Sequence, residues 1–173
     1  MIVRRERPGD VADVRAVVTA AFAPDDGTQP VEPGLLDRLR TDPGWLPTFS
    51  LVAEEDREVV GHVVATRGWV GDVPALGLGP LAVRPDRQGR GTGRTLVHAL
   101  VAAAEARDEV LVALLGDPGF YGRCGFRPST DVGVAAPDES WGRYFQVRAL
   151  TDAVPRGTFR YAAPFSSSSS SCS

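Results

Sequence analysis

A short run of glycines and arginines, RQGRGTGRTL, occupies residues 87–96 and leads directly into an apolar helical pattern. Glycine lets a backbone approach a ligand closely, and the N–H groups of a helix's first turn carry partial positive charge. The same region also contains four arginines, Arg84, Arg87, Arg90 and Arg94. Because the chain has a net charge of −3, this local positive charge predicts a phosphate or pyrophosphate site.

Two familiar phosphate loops do not fit this run. A P-loop ends in Gly-Lys-Ser/Thr, and the chain contains no Lys. A dinucleotide fingerprint needs a third glycine where Leu96 stands, and it usually opens a βαβ unit. Taken alone, the run could also be a plain strand-to-helix turn with solvated arginines, and that alternative stays open at this point.

The strand before the loop carries its own irregularity. Leu76 to Val83 is apolar enough for a strand but contains Gly77, Gly79 and Pro80. Proline cannot donate to a sheet ladder, and glycine inside a strand often marks a bulge. We therefore expect this strand to be distorted near Gly79-Pro80 and to separate from a neighbour there.

The rest of the pattern predicts alternating strands and helices. Strands are predicted at 2–5, 49–53, 58–67, 76–83, 110–115, 144–150 and 158–161, with another after Phe126; helices are predicted over 11–21, around 35–39, after the loop as far as 106, and for one turn at 120–124. This order predicts an α/β or α+β class with a mixed sheet and helices on its faces.

Two motifs together resemble those of the GNAT N-acetyltransferase superfamily. Gln88-x-x-Gly91-x-Gly93, preceded by Leu81-Ala82-Val83-Arg84-Pro85, resembles its acetyl-CoA-binding motif. The run GDPGFYGRCGF at 116–126 resembles its second signature, and most of all a bacterial subgroup of predicted acetyltransferases with a Tyr-Gly-Arg-x-Gly-Phe segment. The resemblance covers roughly residues 2–165. It implies one domain over 1–165, with a mostly antiparallel mixed sheet and a V-shaped gap between two central strands.

The resemblance also implies a cofactor site. The acyl donor would be acetyl-CoA, with no metal. Its pyrophosphate would lie on the loop, and its pantetheine arm and acetyl carbonyl on the distorted strand. The matching positions are Leu81, Ala82, Val83, Gln88, Gly89, Arg90, Gly91, Thr92, Gly93 and Arg94.

Tyr121 matches the family's usual general acid, although a packed aromatic residue is the alternative. The general base stays unassigned, because the strand from Ala75 to Val83 offers no carboxylate. His62 can titrate near neutral pH, but a lone His in an apolar strand is more typical of a packed residue. Asp117 before Pro118 predicts a helix cap, and Cys124 a small buried hydrophobic residue.

The amine acceptor, a small molecule or a peptide, would lie between two segments, 22–34 and 131–143. Their acidic residues would suit a cationic amine or would be ordinary solvated charges: Asp25, Asp26, Glu32, Asp131, Asp138 and Glu139. Trp45 and Trp141 could line this pocket or close the edge of the core. The predicted function is direct acetyl transfer to an amine. The alternative is a non-catalytic acyl-CoA sensor, which the missing strand carboxylate favours and Tyr121 opposes.

Composition limits the remaining possibilities. The negative net charge argues against general nucleic-acid or membrane-surface binding. Cys124 and Cys172 form neither a metal-ligand spacing nor a disulfide framework, and no leader or bilayer-spanning run is evident. We expect a soluble cytoplasmic protein, with a homodimer left open. The Ser-rich segment 166–173 predicts a disordered tail.

Overall fold

The structure is a computed structural model that describes residues 1–168. Its strands and helices, in chain order, are β1 Ile2–Arg5, α1 Val11–Ala21, α2 Glu32–Thr41, β2 Ser50–Glu55, β3 Glu58–Val70, β4 Val73–Val83, α3 Thr92–Glu105, β5 Leu111–Leu115, α4 Pro118–Tyr121, β6 Arg127–Pro128, β7 Val134–Ala135, β8 Phe145–Ala149, β9 Gly157–Arg160 and α5 Ala163–Ser168.

One mixed sheet organises these elements. Its strands are ordered β1-β2-β3-β4-β5-β8-β6, and β9 joins through the far end of β3. All neighbours along this path are antiparallel except β4 and β5. The turn between β2 and β3 falls at Asp56 and Arg57, which both have positive φ angles, as a tight hairpin requires. The predicted mixed, mostly antiparallel sheet is confirmed.

Helices cover both faces of the sheet because each presents an apolar stripe at helical spacing. On one face, α3 buries Leu96, Val97 and Leu100 in a core shared with β2, β3 and β5. On the other face, α1 buries Val14 and Val18 in a separate core shared with β2, β3 and β4. The loop at the start of α3 is therefore held by a helix that is firmly packed on the sheet.

The two central strands separate as predicted. β4 and β5 pair only through Leu76–Val112 and Gly77–Ala113. Beyond that point the pairing of β4 with β3 shifts register between Val63 and Ala65, and Gly79 has a φ of 142° that side-chain-bearing residues rarely adopt. The bulge turns β4 away from β5, and a V-shaped gap opens between them.

The chain's C-terminal part differs from the sequence prediction. β7 was not predicted, because two residues are too short to show an alternating pattern. α5 was not predicted either, and it extends into the Ser-rich segment through residues 166–168. It is anchored by Phe165, which packs on a small cluster formed by Leu35, Leu39 and Ala162. The rest of the predicted tail, 169–173 with Cys172, lies outside the described residues.

Within the described part of the chain, every helix is too short or too polar to cross a lipid bilayer.

Candidate active site

The glycine loop presents unpaired backbone amides to solvent. Gly89 and Gly91 have φ angles of 74° and 88°, and an added Cβ at either position would meet only open space. Gly91 is the N-cap of α3. Among residues 1–168, no acceptor receives a hydrogen bond from the backbone N–H groups of 89–94. The loop therefore offers several donors and the positive end of a helix to an anion.

These amides border a cleft of about 480 Å³, here called the loop cleft. It is lined by Leu81, Val83, Arg87, Gln88, Gly89, Gly91, Thr92, Gly93, Arg94, Phe120 and Arg123. Most of the predicted cofactor-binding residues thus meet at one site. Ala82 does not line it, because alternation along β4 turns its side chain into the core under α1. Arg90 is exposed and also lies outside the lining.

The predicted arginine cluster is only partly available to a ligand. Arg84 is bound to Asp86 at 2.6 Å and to Glu58 at 3.0 Å, so its charge is already compensated. Arg94 and Arg123 line the loop cleft, and neither forms an ion pair with any residue in 1–168. Arg123 was not predicted as a ligand-binding residue. Although it belongs to the quoted Tyr-Gly-Arg motif, only the tertiary fold brings it beside the loop.

A second cavity, of about 430 Å³, lies beyond the loop cleft in the gap between β4 and β5. We call it the aromatic cavity, and it is lined by Phe22, Glu32, Leu35, Leu78, Gly79, Pro80, Leu81, Leu115, Tyr121, Trp141, Tyr161 and Phe165. Leu81 lines both spaces. The two spaces therefore share Leu81 as a wall, at the distorted part of β4.

Tyr121 lies on the wall of the aromatic cavity at the end of α4. Asp117 caps this short helix by accepting a hydrogen bond from the Gly119 N–H at 3.1 Å, as predicted. The Tyr121 ring makes edge contacts with Phe120 and Phe126, and a Cβ at Gly116 would collide with it. Burial raises the pKa of Tyr121 to about 12. Its hydroxyl has no hydrogen-bond partner within 1–168, and the raised pKa keeps it protonated at neutral pH, so it is available as a donor.

Tyr161 is a second phenol in the same cavity that the sequence did not single out. It packs closely on Gly77, where a Cβ would come within 2.7 Å of its ring. Burial, with a smaller contribution from Tyr121, raises the pKa of Tyr161 above its usual range. No motif marked this residue, because it follows a terminal strand and reaches the cavity only through the pairing of β9 with β3.

His62 lines neither the loop cleft nor the aromatic cavity. It is fully buried, and its Nε2 lies 2.9 Å from Ser50 Oγ. Ser50 in turn donates to Glu6, which also pairs with Arg40. Burial lowers the pKa of His62, so its neutral form fits this structural network. The packed-residue interpretation of His62 fits this geometry, and a general-base role does not.

The acidic residues of the two predicted acceptor segments are not equivalent. Glu32, in the first turn of α2, lines the aromatic cavity, and so do Phe22 and Trp141 from the same two segments. Asp25 and Glu139 are exposed and do not line it. Cys124 is buried at 1% exposure in the main core, as predicted.

Similarity to known proteins agrees with this geometry. A model of the Acetyltransferase (GNAT) domain matches residues 47–128. The uncharacterized N-acetyltransferase YhbS of Escherichia coli K12 is 32% identical over 162 residues, which cover 91% of this chain and 92% of YhbS. The chain belongs to the GNAT acetyltransferase family. It is accordingly an acetyltransferase enzyme, as its sequence motifs predicted.

Solved GNAT structures resemble the whole chain. A family member from Brucella melitensis, determined in complex with acetyl-CoA, is 36% identical with a TM-score of 0.78, covering 95% of this chain and 97% of that one. YhbS from Escherichia coli, determined in complex with CoA, is 28% identical with a TM-score of 0.85, covering 95% and 91%. Among residues 1–168 of this GNAT chain, no group of three or more His, Cys, Asp and Glu side chains is arranged to hold a metal ion.

Proposed function

We propose that this GNAT enzyme transfers an acetyl group from acetyl-CoA directly to an amine. In this proposal the pyrophosphate of acetyl-CoA lies on the amides of 89–94, with Arg94 and Arg123 beside it. The pantetheine arm follows β4 past Val83 to Leu81. Acetyl-CoA or CoA complexes of the two similar structures support this choice of donor.

The observation that carries the proposal is that Leu81 borders both spaces. The loop cleft has the donors and arginines that suit a polyanion, whereas the aromatic cavity is lined, among the described residues, by two phenols and one charged side chain. A thioester that extends from the first space would present its carbonyl carbon at the entrance of the second. A donor and an acceptor could then be bound together, as direct transfer requires.

The chemistry would proceed in one ternary complex. The neutral amine nitrogen attacks the thioester carbonyl carbon, and the carbonyl electrons move to oxygen in a tetrahedral intermediate. When the intermediate collapses, the C–S bond breaks and the amide C–N bond remains. The nitrogen releases a proton to solvent, Tyr121 donates its phenolic proton to the departing thiolate, and the resulting phenolate regains a proton from solvent. Its raised pKa keeps that proton in place at neutral pH.

Thiol release with a panel of amines tests the proposal. We expect CoA to appear in proportion to acetylated amine, identified by mass spectrometry, and only when both substrates are present. Acetyl-CoA without amine controls for hydrolysis. Tight acetyl-CoA binding with no turnover on any amine would contradict the proposal and would favour the alternative, a non-catalytic acyl-CoA sensor.

A further inference from the structure

The aromatic cavity has an unusual wall for a space that opens to solvent. Most of its lining is aromatic or aliphatic, including Phe22, Trp141 and Tyr161. Leu115 lies at the end of β5 with 47% of its surface exposed, although the rest of that strand is buried. An exposed leucine beside several aromatic rings favours an apolar ligand that would cover them.

Among the described residues that line this cavity, Glu32 is the single carboxylate. Its side chain is half-buried and forms no hydrogen bond or ion pair with any residue in 1–168. The positive end of α2 favours a carboxylate in the first helical turn. The helix dipole alone does not explain why the Glu32 side chain also borders an apolar cavity. An unpaired carboxylate beside aromatic rings is instead a suitable site for an organic cation, which the rings also attract.

We propose that the acceptor is an amine on an apolar body, which binds as its ammonium ion beside Glu32 and loses one proton to solvent before the neutral nitrogen attacks. The apolar body would lie against Leu115 and the aromatic rings, and the charge would lie at the α2 wall. This inference rests on the proposed function, because it names the class of amine for the same site. Highly hydrated polycations fit less well, since the described lining offers one carboxylate to replace their water.

The test measures binding rather than turnover, so that its outcome does not depend on the proposed function. Phenethylamine, which is positively charged at neutral pH, is titrated into the enzyme saturated with CoA, and 2-phenylethanol serves as the uncharged analogue. Glu32→Gln should weaken phenethylamine binding by about tenfold and leave 2-phenylethanol binding within twofold. Asp25→Asn is the matched control, because Asp25 belongs to the same segment but is exposed and lies outside the cavity.

The apolar part of the proposal is tested with a series of straight-chain alkylamines. Affinity should rise roughly two- to fourfold with each added methylene until the cavity is filled. Leu115→Ser should reduce that increment, and an exposed position tolerates this substitution.

Equal phenethylamine affinity in the wild type and Glu32→Gln would overturn the proposal, and so would tighter binding of spermidine than of phenethylamine. If binding behaves as expected but no amine is acetylated, the proposed function fails while the recognition of an apolar cation stands. If amines are acetylated but Glu32→Gln changes neither binding nor rate, the proposed function stands and this inference fails.

Discussion

Tyr121 has the properties of a proton donor in an apolar site. Tyr121→Phe keeps the ring contacts with Phe120 and Phe126 and removes only the hydroxyl. We expect kcat to fall by roughly 10² to 10⁴, with CoA affinity within a few-fold of the wild type, since the proton is needed only as the thiolate leaves. Steady-state rates and calorimetry measure the two effects.

Tyr161→Phe is the matched control for this prediction. It removes a phenol from the same cavity, and we expect kcat to stay within about threefold because the family motif falls on Tyr121. A large loss of kcat in Tyr161→Phe with none in Tyr121→Phe would transfer the acid role to Tyr161.

The pH dependence of kcat follows from the same residue. Burial raises the pKa of Tyr121 to about 12, and the protonated form is the active one. Deprotonation, and with it loss of the acid, is therefore expected only near and above that value. Under saturating substrates kcat should not decline between about pH 8 and pH 10. A basic limb centred near the ordinary tyrosine pKa of about 10 that disappears in Tyr121→Phe would contradict this expectation.

At the residue scale, the sequence was informative where chemistry depends on neighbours along the chain. Gly89 and Gly91 indicated a strand-to-helix turn with exposed amides, because positive φ and helix starts are local properties. Arg123 and Tyr161 were missed because the fold, not the chain, brings them to the cavities. Arg84 was grouped with the ligand-binding arginines, but its pairing with Glu58 depends on the register of β3 and β4.

Two arginines, Arg84 just after β4 and Arg123 just after α4, allow the loop cleft to be tested at the scale of elements. Arg123→Ala should weaken CoA binding by about tenfold, because its guanidinium borders the cleft and has no ion-pair partner within 1–168. Arg84→Ala should change affinity less than threefold, because Asp86 and Glu58 already compensate its charge. Calorimetric titration with CoA compares them, and the reverse order would show that the phosphates lie nearer to Arg84.

The joint between β1 and α1 depends on an ion pair. Arg4 binds Asp10 at 2.7 Å and also contacts Glu54 of β2, so it ties the edge strand to the helix start. Hydrogen bonds from Arg4 lower the pKa of Asp10, although burial opposes them. Asp10→Asn should reduce the free energy of unfolding by about 1–3 kcal/mol at pH 7, as measured by urea denaturation.

The sign of the pH effect provides the control. A carboxyl whose pKa is lowered by folding contributes its full stabilisation above its unfolded pKa of about 3.9, and that contribution is lost as pH falls through the lower folded value. The difference between the wild type and Asp10→Asn should therefore persist at pH 6 and shrink below about pH 3. A difference that stays constant over this whole range would mean that the substitution acts through packing rather than charge.

At the element scale, the sequence predicted the strands and helices with strong periodicity, and it predicted where β4 would deviate. Gly79-Pro80 sufficed for that prediction, because proline cannot donate a hydrogen bond to a sheet and glycine weakens a strand in any tertiary context. α5 was not predictable, since its serines do not form a pattern of apolar residues at helical spacing. Phe165 instead holds it by tertiary packing against α2.

At the scale of the whole molecule, the separation of β4 from β5 in the sheet leaves room for both cavities. α3 and its loop close one side of the gap, whereas α2, α5 and the segment before β8 close the other. Residues far apart in the chain, such as Phe22 and Trp141, meet there because the strand order places β5 beside β4 and β8 beside β5. The family resemblance could indicate this arrangement, but composition and periodicity alone could not.

The most direct test of the central claim is a calorimetric titration with acetyl-CoA of the wild type and two glycine variants. Gly91→Glu places bulk and negative charge where the pyrophosphate should lie. Gly27→Glu is the matched control, because Gly27 also has positive φ, at 77°, with open space around it, and it lies outside the loop cleft. We predict that binding is lost in Gly91→Glu and retained in Gly27→Glu, with unchanged circular dichroism in both. Acetyl-CoA affinity that survives in a folded Gly91→Glu variant would contradict the account.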